Sequence, residues 1–364
     1  MRRRLAGLAA LLFLLPLNAA DPAPVEPGED ENAWQRLMAE DNDALVIINV
    51  QQILKSPMFL KGLKGKLPSV MSDQFIVPVR LKPLGVDPAK DLRKVTVMMA
   101  RSDWDDKGGM ADLDGGGVLL FHTSKSEAAL RATLDKLAKD GKGVKVAEEE
   151  KQKFFEVNDD MGPRTFVAVL PGGTLALSPS KTGLARALAR SKGPRKALKH
   201  AAMARFVAGL KPGLTIQGLL LPEAVIGASG SVTDNGMGMV KRESKLHTLG
   251  ESGFGTCRFE ATVKDTLKAK ATFDLKDEAT AEKKAKEVTG AVAAAQLFLG
   301  GQVMMEPKLK GVLKVLESVK VKADGKAVKV EGEVEAEAAA AIDIFDRGGG
   351  QPQPPAPPPP VEKR

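Results

Sequence analysis

Short apolar blocks and strict apolar–polar alternation follow one another along this chain, and helical spacing appears between them. Asp43–Val50 (DALVIINV) predicts a strand, and a helical region starts at Gln51, interrupted by Pro57 and Pro68. Lys94–Ala100 and Gly117–His122 predict two more strands. Ser124 and Glu127 then fit a capping box, with Leu130, Leu134, Leu137 and Ala138 on one helical face and Gly141 as the stop. Thr165–Leu170 and Thr174–Ser178 flank Gly172-Gly173, the signal of a hairpin, and a helix is expected over Lys181–Arg190.

The second half alternates more strictly. Cys257, Phe259, Ala261 and Val263 fall on one face, and Thr256, Arg258, Glu260 and Thr262 on the other. Leu267, Ala269, Ala271, Phe273 and Leu275 alternate in the same way with Lys268, Lys270, Thr272 and Asp274. One apolar and one polar face predict an antiparallel sheet with a wet side. A long helix is expected through Ala281, Ala285, Val288, Val292, Ala295 and Leu299. A hairpin over Val319–Val330 turning at Asp324-Gly325, and an Ala-rich helix from Glu335, complete the pattern. Gly227–Met239 reads as an exposed loop.

The fold class is therefore α+β: two similar domains of antiparallel sheet packed with helices, related by an internal duplication that rests on the order of elements. The expected organisation is a signal peptide over 1–20, a flexible spacer and lead-in over 21–42, a first domain over 43–195, a second over 196–347, and a Pro-rich disordered tail over 348–364.

The signal reading rests on three features. Arg2, Arg3 and Arg4 are positive, Leu5–Leu17 is apolar and uncharged, and Asn18-Ala19-Ala20 offers a small-residue cut. The apolar run is shorter than the roughly 18–20 residues of a spanning helix, and Pro16 interrupts it. Export to the periplasm or beyond is expected, with no membrane-spanning segment in the mature chain. Cys257 is the single cysteine, so no intramolecular disulfide can form.

Three sequence stretches resemble a group of uncharacterised exported α+β proteins common in planctomycete-like bacteria. They are LGVDPAKDLRKVTV at Leu84–Val97, LFHTSKSEAALRATL from Leu120, and FVAVLPGGTLALSPSKTGLARAL from Phe166, together with the signal. The likeness covers about Asp43 to Arg190. It implies export and a duplicated α+β fold, and it implies no activity.

Composition narrows the choices. There is no Tyr, two Trp, and thirteen each of Phe and Met. Trp34 and Trp104 are the only large stacking platforms, which disfavours an aromatic sugar groove. The net charge of +8 falls to +5 when Arg2, Arg3 and Arg4 leave, but its distribution is uneven. Met161–Pro222 holds no acidic residue and ten basic ones. Within it Lys181, Arg186, Arg190, Lys192, Arg195, Lys196, Lys199 and Arg205 form a candidate anion-binding surface for an anionic polymer or lipid surface. The competing reading is a solvated helix and linker balanced by acidic residues elsewhere, with Glu331, Glu333, Glu335 and Glu337 as one counterpart. Only Phe166 and Phe206 are aromatic there, which disfavours nucleic acid.

Candidate chemistry is thin. His122, His200 and His247 are not spaced as a metal pair, and His122 fits a polar cap role at a strand end. Ser178-Pro-Ser-Lys181 and Lys181-Thr-Gly183 overlap at one lysine, so they cannot serve as separate penicillin-enzyme motifs, and Ser178 or Ser180 reads as a helix cap. Gly115-Gly116-Gly117 precedes a strand rather than a helix, unlike a phosphate cradle. Asp105, Asp106, Asp112 and Asp114 lack EF-hand spacing and read as a solvated turn. Cys257 reads as a buried thiol. No cofactor is expected. The function that emerges is an exported non-enzymatic binding or envelope-associated protein, with a protein partner as another option. The alternatives are a hydrolase using dispersed carboxylates and a structural assembly protein.

Overall fold

The computed structural model describes residues 33–62, 81, 84–103, 117–158, 164–194, 196–234, 240–303, 309–336 and 338. The signal, the Pro-rich tail, Pro68, Trp104, the aspartates at 105, 106, 112 and 114, Gly115 and Gly116 lie outside them. The architecture is α+β. The first half contributes β1 (Asn42–Ile48), α1 (Val50–Lys55), α2 (Pro57–Gly62), β2 (Leu92–Ala100), β3 (Gly117–Thr123) and α3 (Glu127–Lys139). It continues with the hairpin β4 (Val144–Glu149) and β5 (Gln152–Val157), the hairpin β6 (Thr165–Leu170) and β7 (Thr174–Ser178), and α4 (Lys181–Lys192). The second half contributes α5 (Ala201–Ala208), β8 (Ile216–Leu220), β9 (Val225–Asp234), β10 (Val240–Thr248), β11 (Cys257–Val263) and β12 (Thr266–Asp274). It ends with α6 (Glu278–Val303), α7 (Lys310–Ser318), β13 (Lys320–Asp324) and β14 (Ala327–Glu335).

Twelve of these strands form one antiparallel sheet in the order β13-β14-β12-β11-β8-β1-β2-β3-β7-β6-β5-β4. The two sequence halves meet where β1 pairs with β8, Val46 opposite Gly218. The segment expected as the exposed loop Gly227–Met239 instead begins in β9, which pairs with β10 as a separate two-stranded ribbon. Its Gly, Ser and Thr content hides the strand, because no apolar alternation marks it.

The two faces of the sheet are covered differently along its length. In the first half Phe121, Leu175, Leu177, Val167 and Phe155 face α3, whose Leu130 and Leu134 are buried against them. The alternate residues Leu120, Ala176, Ala168, Phe166 and Phe154 face Leu184, Ala185, Ala187 and Leu188 of α4. Strands buried on both sides read as unbroken apolar runs, which is why VLLF and FVAVL carry no alternation. In the second half Phe259, Ala261, Leu267, Phe273 and Val328 pack with Ala281 and Ala285 of α6. The opposite face of β11, β12 and β14 carries Glu260, Lys268, Lys270, Glu331 and Glu333, with Lys270–Glu331 at 2.8 Å and Lys268–Glu333 at 3.0 Å across strands.

Local signals explain the turns. The residue capping α3 is Ser126, whose Oγ accepts from Ala129 N at 3.2 Å, two positions beyond the expected Ser124. Ser124 Oγ instead donates to Asp91. At the joint, the Phe259 ring lies over Gly218, and a Cβ there would sit 2.1 Å from the ring. Gly218→Ala is expected to cost about 1–3 kcal/mol by overpacking. Urea midpoints of the two proteins measure this, and an unchanged midpoint would contradict the packing.

Candidate binding surfaces

The acid-free basic stretch folds into α4, the following turn and α5, and its charges meet acids brought from elsewhere in the chain. Lys181 lies 2.8 Å from Glu149, and Arg186 lies 3.8 Å from Glu150 while donating to Ser102 O. Lys192 donates to Gln152 Oε1 at 2.6 Å. Lys196 and Lys199 share Glu40 at 2.7 and 3.7 Å. Lys196 holds the Glu40 carboxyl below the usual carboxylate range by its hydrogen bond and its charge. Arg190 makes two parallel bonds of 2.8 and 2.7 Å to the Asp103 carboxylate and donates from Nε to Leu37 O. The Asp103 side chain is 5% exposed, so this pair is interior. Arg205 is exposed on α5, and Arg195 lies outside the described residues.

The counterpart carboxylates are therefore Glu40, Asp103, Glu149 and Glu150, joined by Glu156 for Arg164 and Glu260 for Lys211. Glu331 and Glu333, expected to balance this stretch, pair with the lysines of their own sheet. Lys181, Arg186 and Arg190 staple α4 to the β4–β5 turn and to the short helical turn Arg101–Asp103.

Among the described candidates for chemistry, His122, Ser178, Ser180 and Cys257 have local structural roles. His122 stands between Thr96 Oγ1 at 3.3 Å from Nε2 and Thr174 Oγ1 at 3.2 Å from Nδ1, linking three strands. It is a half-buried bridge between strands rather than the expected cap, and desolvation of its ring pushes its pKa down to about 3. Ser180 caps α4, its Oγ accepting from Gly183 N, while Ser178 Oγ accepts from Ser180 N. Burial pushes the Cys257 thiol up to about 12, which removes its nucleophilic form at neutral pH. His200 occupies the position before α5, and His247 lies 3.7 Å from Glu251. Among the described residues no group of three His, Cys, Asp or Glu is placed to hold a metal ion.

Two surfaces stand out. The first is the charged sheet face, where a groove of about 410 Å³ is bordered by Leu214, Glu260, Lys268, Lys270, Lys320 and Glu331. The second is the C-terminal half of α6. Ala281 and Ala285 bury its first turns, and Val292, Ala295 and Leu299 continue that inner face half-buried. Gln296 Nε2 reaches Leu316 O of α7 at 2.8 Å. The outer face carries Gly290, Ala294, Leu297, Phe298 and Gly301. Leu297 is 80% exposed and Phe298 66%, the highest values among the exposed large apolar residues that the structure describes. From Thr289 to Met305 the sequence has no charge. This signal was present in the sequence but hidden, because helical spacing identifies the inner face and draws attention from the outer one. No described helix is long and apolar enough to cross a membrane.

No family model and no curated protein matches the chain. Among solved structures it is similar to one titled "Structure of crystal form I of TP0453", with 10% sequence identity, coverage of 89% of this chain and 99% of that one, and a TM-score of 0.41. A likeness of that size carries no functional argument.

Proposed function

We propose that the chain is an exported, non-enzymatic, envelope-associated protein that docks through the uncharged end of α6. The observation that carries this reading is the pair Leu297 and Phe298, exposed side by side on a helix whose two faces are both apolar there. A helix apolar all round is at home only when both faces are covered. Among the described residues the fold supplies cover for one of them.

The export part of the reading is supported by Arg2–Arg4, the apolar run Leu5–Leu17 and the small residues before Asp21. The non-enzymatic part is supported by the local roles of His122, Ser180 and Cys257. We further propose that the two halves arose by duplication. Outward from the β1–β8 joint, one side runs β1-β2-β3-β7-β6 and the other β8-β11-β12-β14-β13. On each side three strands are followed by helix and then by a hairpin whose second strand joins the third, which supports a common ancestral unit. The β4–β5 and β9–β10 hairpins are then additions.

Cell fractionation of the full-length protein tests the docking reading. The wild type is expected with the envelope, and Leu297→Gln/Phe298→Gln is expected to move the larger part into the soluble fraction without loss of folding by circular dichroism. A wild type found wholly in the soluble fraction would overturn it.

A further inference from the structure

We propose that the occupant of the uncharged end of α6 is the surface of an anionic lipid bilayer, into which Leu297 and Phe298 insert while nearby lysines meet the headgroups; this rests on the docking reading above. Four observations favour a helix lying on lipid over one that spans it or one that packs on a second copy of the chain. The first is length. Thr289–Val303 spans ~22 Å at 1.5 Å per residue, too short for the ~30 Å hydrocarbon core but suited to lying at the interface. The second is area. A helix face of that length and ~10 Å width offers ~220 Å², well under the ~800 Å² per partner of a stable dimer. The third is shape. Two large side chains project from a stripe of Gly and Ala, so there is no ridge to interlock with a copy, and lipid chains require none.

The fourth is charge. Lys283 and Lys286 lie on the outer face of α6 ahead of the apolar end, and Lys310 and Lys314 are exposed on α7 beside it. None of the four takes part in the ion pairs of the described residues, in contrast to the stapled cations around α4. Glu287 is held by Lys284, and Glu278, Glu282 and Glu317 remain as the exposed acids of the two helices against four lysines, with Glu278 at the far end of α6, so the balance of unpaired charge beside the apolar end is positive. Basic residues flanking an apolar helix face suit anionic headgroups, with an attraction that salt weakens.

Flotation of residues 21–364 with phosphatidylcholine vesicles, with and without phosphatidylglycerol, tests the proposal, alongside light scattering of the protein alone. The protein is expected to float with the phosphatidylglycerol vesicles. Leu297→Gln/Phe298→Gln is expected to weaken binding at least about tenfold. Replacing Lys283, Lys286, Lys310 and Lys314 by Gln is expected to bring binding down to the phosphatidylcholine level, with both variants melting as the wild type does. Absence of flotation, or equal binding to the two vesicle types, would overturn the proposal. A dimer that Leu297→Gln/Phe298→Gln dissolves, seen without flotation, would replace lipid by a second copy and leave the docking reading standing. Flotation unaffected by Leu297→Gln/Phe298→Gln would overturn both.

Discussion

Asp103→Ala is expected to destabilise the protein by about 3–5 kcal/mol, because it leaves the Arg190 guanidinium inside the fold without its carboxylate. The pair is bidentate, at 2.8 and 2.7 Å, and both side chains are largely enclosed. Arg190→Ala is expected to cost a similar amount, since it also strips the partner from Asp103 and a donor from Leu37 O. Replacing both together by apolar residues of matching volume should cost much less than the sum, as the desolvation penalty leaves with the charges. Urea denaturation at neutral pH gives these values. A loss below about 1 kcal/mol for Asp103→Ala would place the pair among ordinary surface bridges. Neutralising Arg190 is accordingly a test of folding, and an anion-binding assay on that variant reads stability instead of affinity.

Asp43→Asn is expected to do the reverse and stabilise the protein above neutral pH. Asp43 is 4% exposed at the irregular start of β1, and its Oδ1 has no hydrogen-bond partner among the described residues. Burial raises its pKa to about 7, with Asp41 and Glu223 adding to the shift and Arg101 opposing it. A carboxyl raised in the folded state contributes stability that is complete below its unfolded value near 3.8 and is lost as pH climbs to 7. At 1.36 kcal/mol per pH unit that loss reaches up to about 4 kcal/mol. His122 slopes the other way. Its pKa is lowered from 6.5 to about 3, so its contribution is complete above 6.5 and is lost on acidification. Between those limits the two opposing slopes largely cancel in the wild type. Asp43→Asn should raise stability by about 2–4 kcal/mol at pH 8 and expose the His122 slope as a steady loss towards pH 4. Urea midpoints across that range check it. A variant less stable at pH 8, or with an unchanged slope, would show that Asp43 is not held as described.

The legibility of this fold in its sequence followed the physics of burial. Strands wetted on one side, β11 and β12, carry strict alternation and were placed to within a residue or two. The hairpin β6–β7 was marked by glycines, and both Gly172 and Gly173 adopt positive φ, 71° and 72°. β8 is a short apolar strand at the centre of the sheet, where Gly218 and Gln217 break any pattern, so neither it nor the joint it forms is legible in the sequence. The β4–β5 hairpin carries no turn signal because its two-residue turn is Glu150-Lys151, in which both residues take positive φ without the usual Asn or Gly. The basic stretch was visible as an anomaly of composition. Its partners were not, because Glu40, Asp103, Glu149 and Glu150 lie far away in sequence and converge only in the fold. Leu297 and Phe298 were legible as letters, but their exposure depends on where α6 leaves the sheet.

The most direct measurement places a reporter at the end of α6. Cys257 is the single cysteine and its thiol is buried and held near 12, so a second cysteine can be labelled without removing it. Leu297→Cys, carrying an environment-sensitive fluorophore, should be fully accessible to an aqueous quencher in buffer. On phosphatidylglycerol-containing vesicles its emission should shift to the blue and the quencher should lose access. A label that stays wet and quenched on protein-saturated vesicles would contradict docking through this helix end.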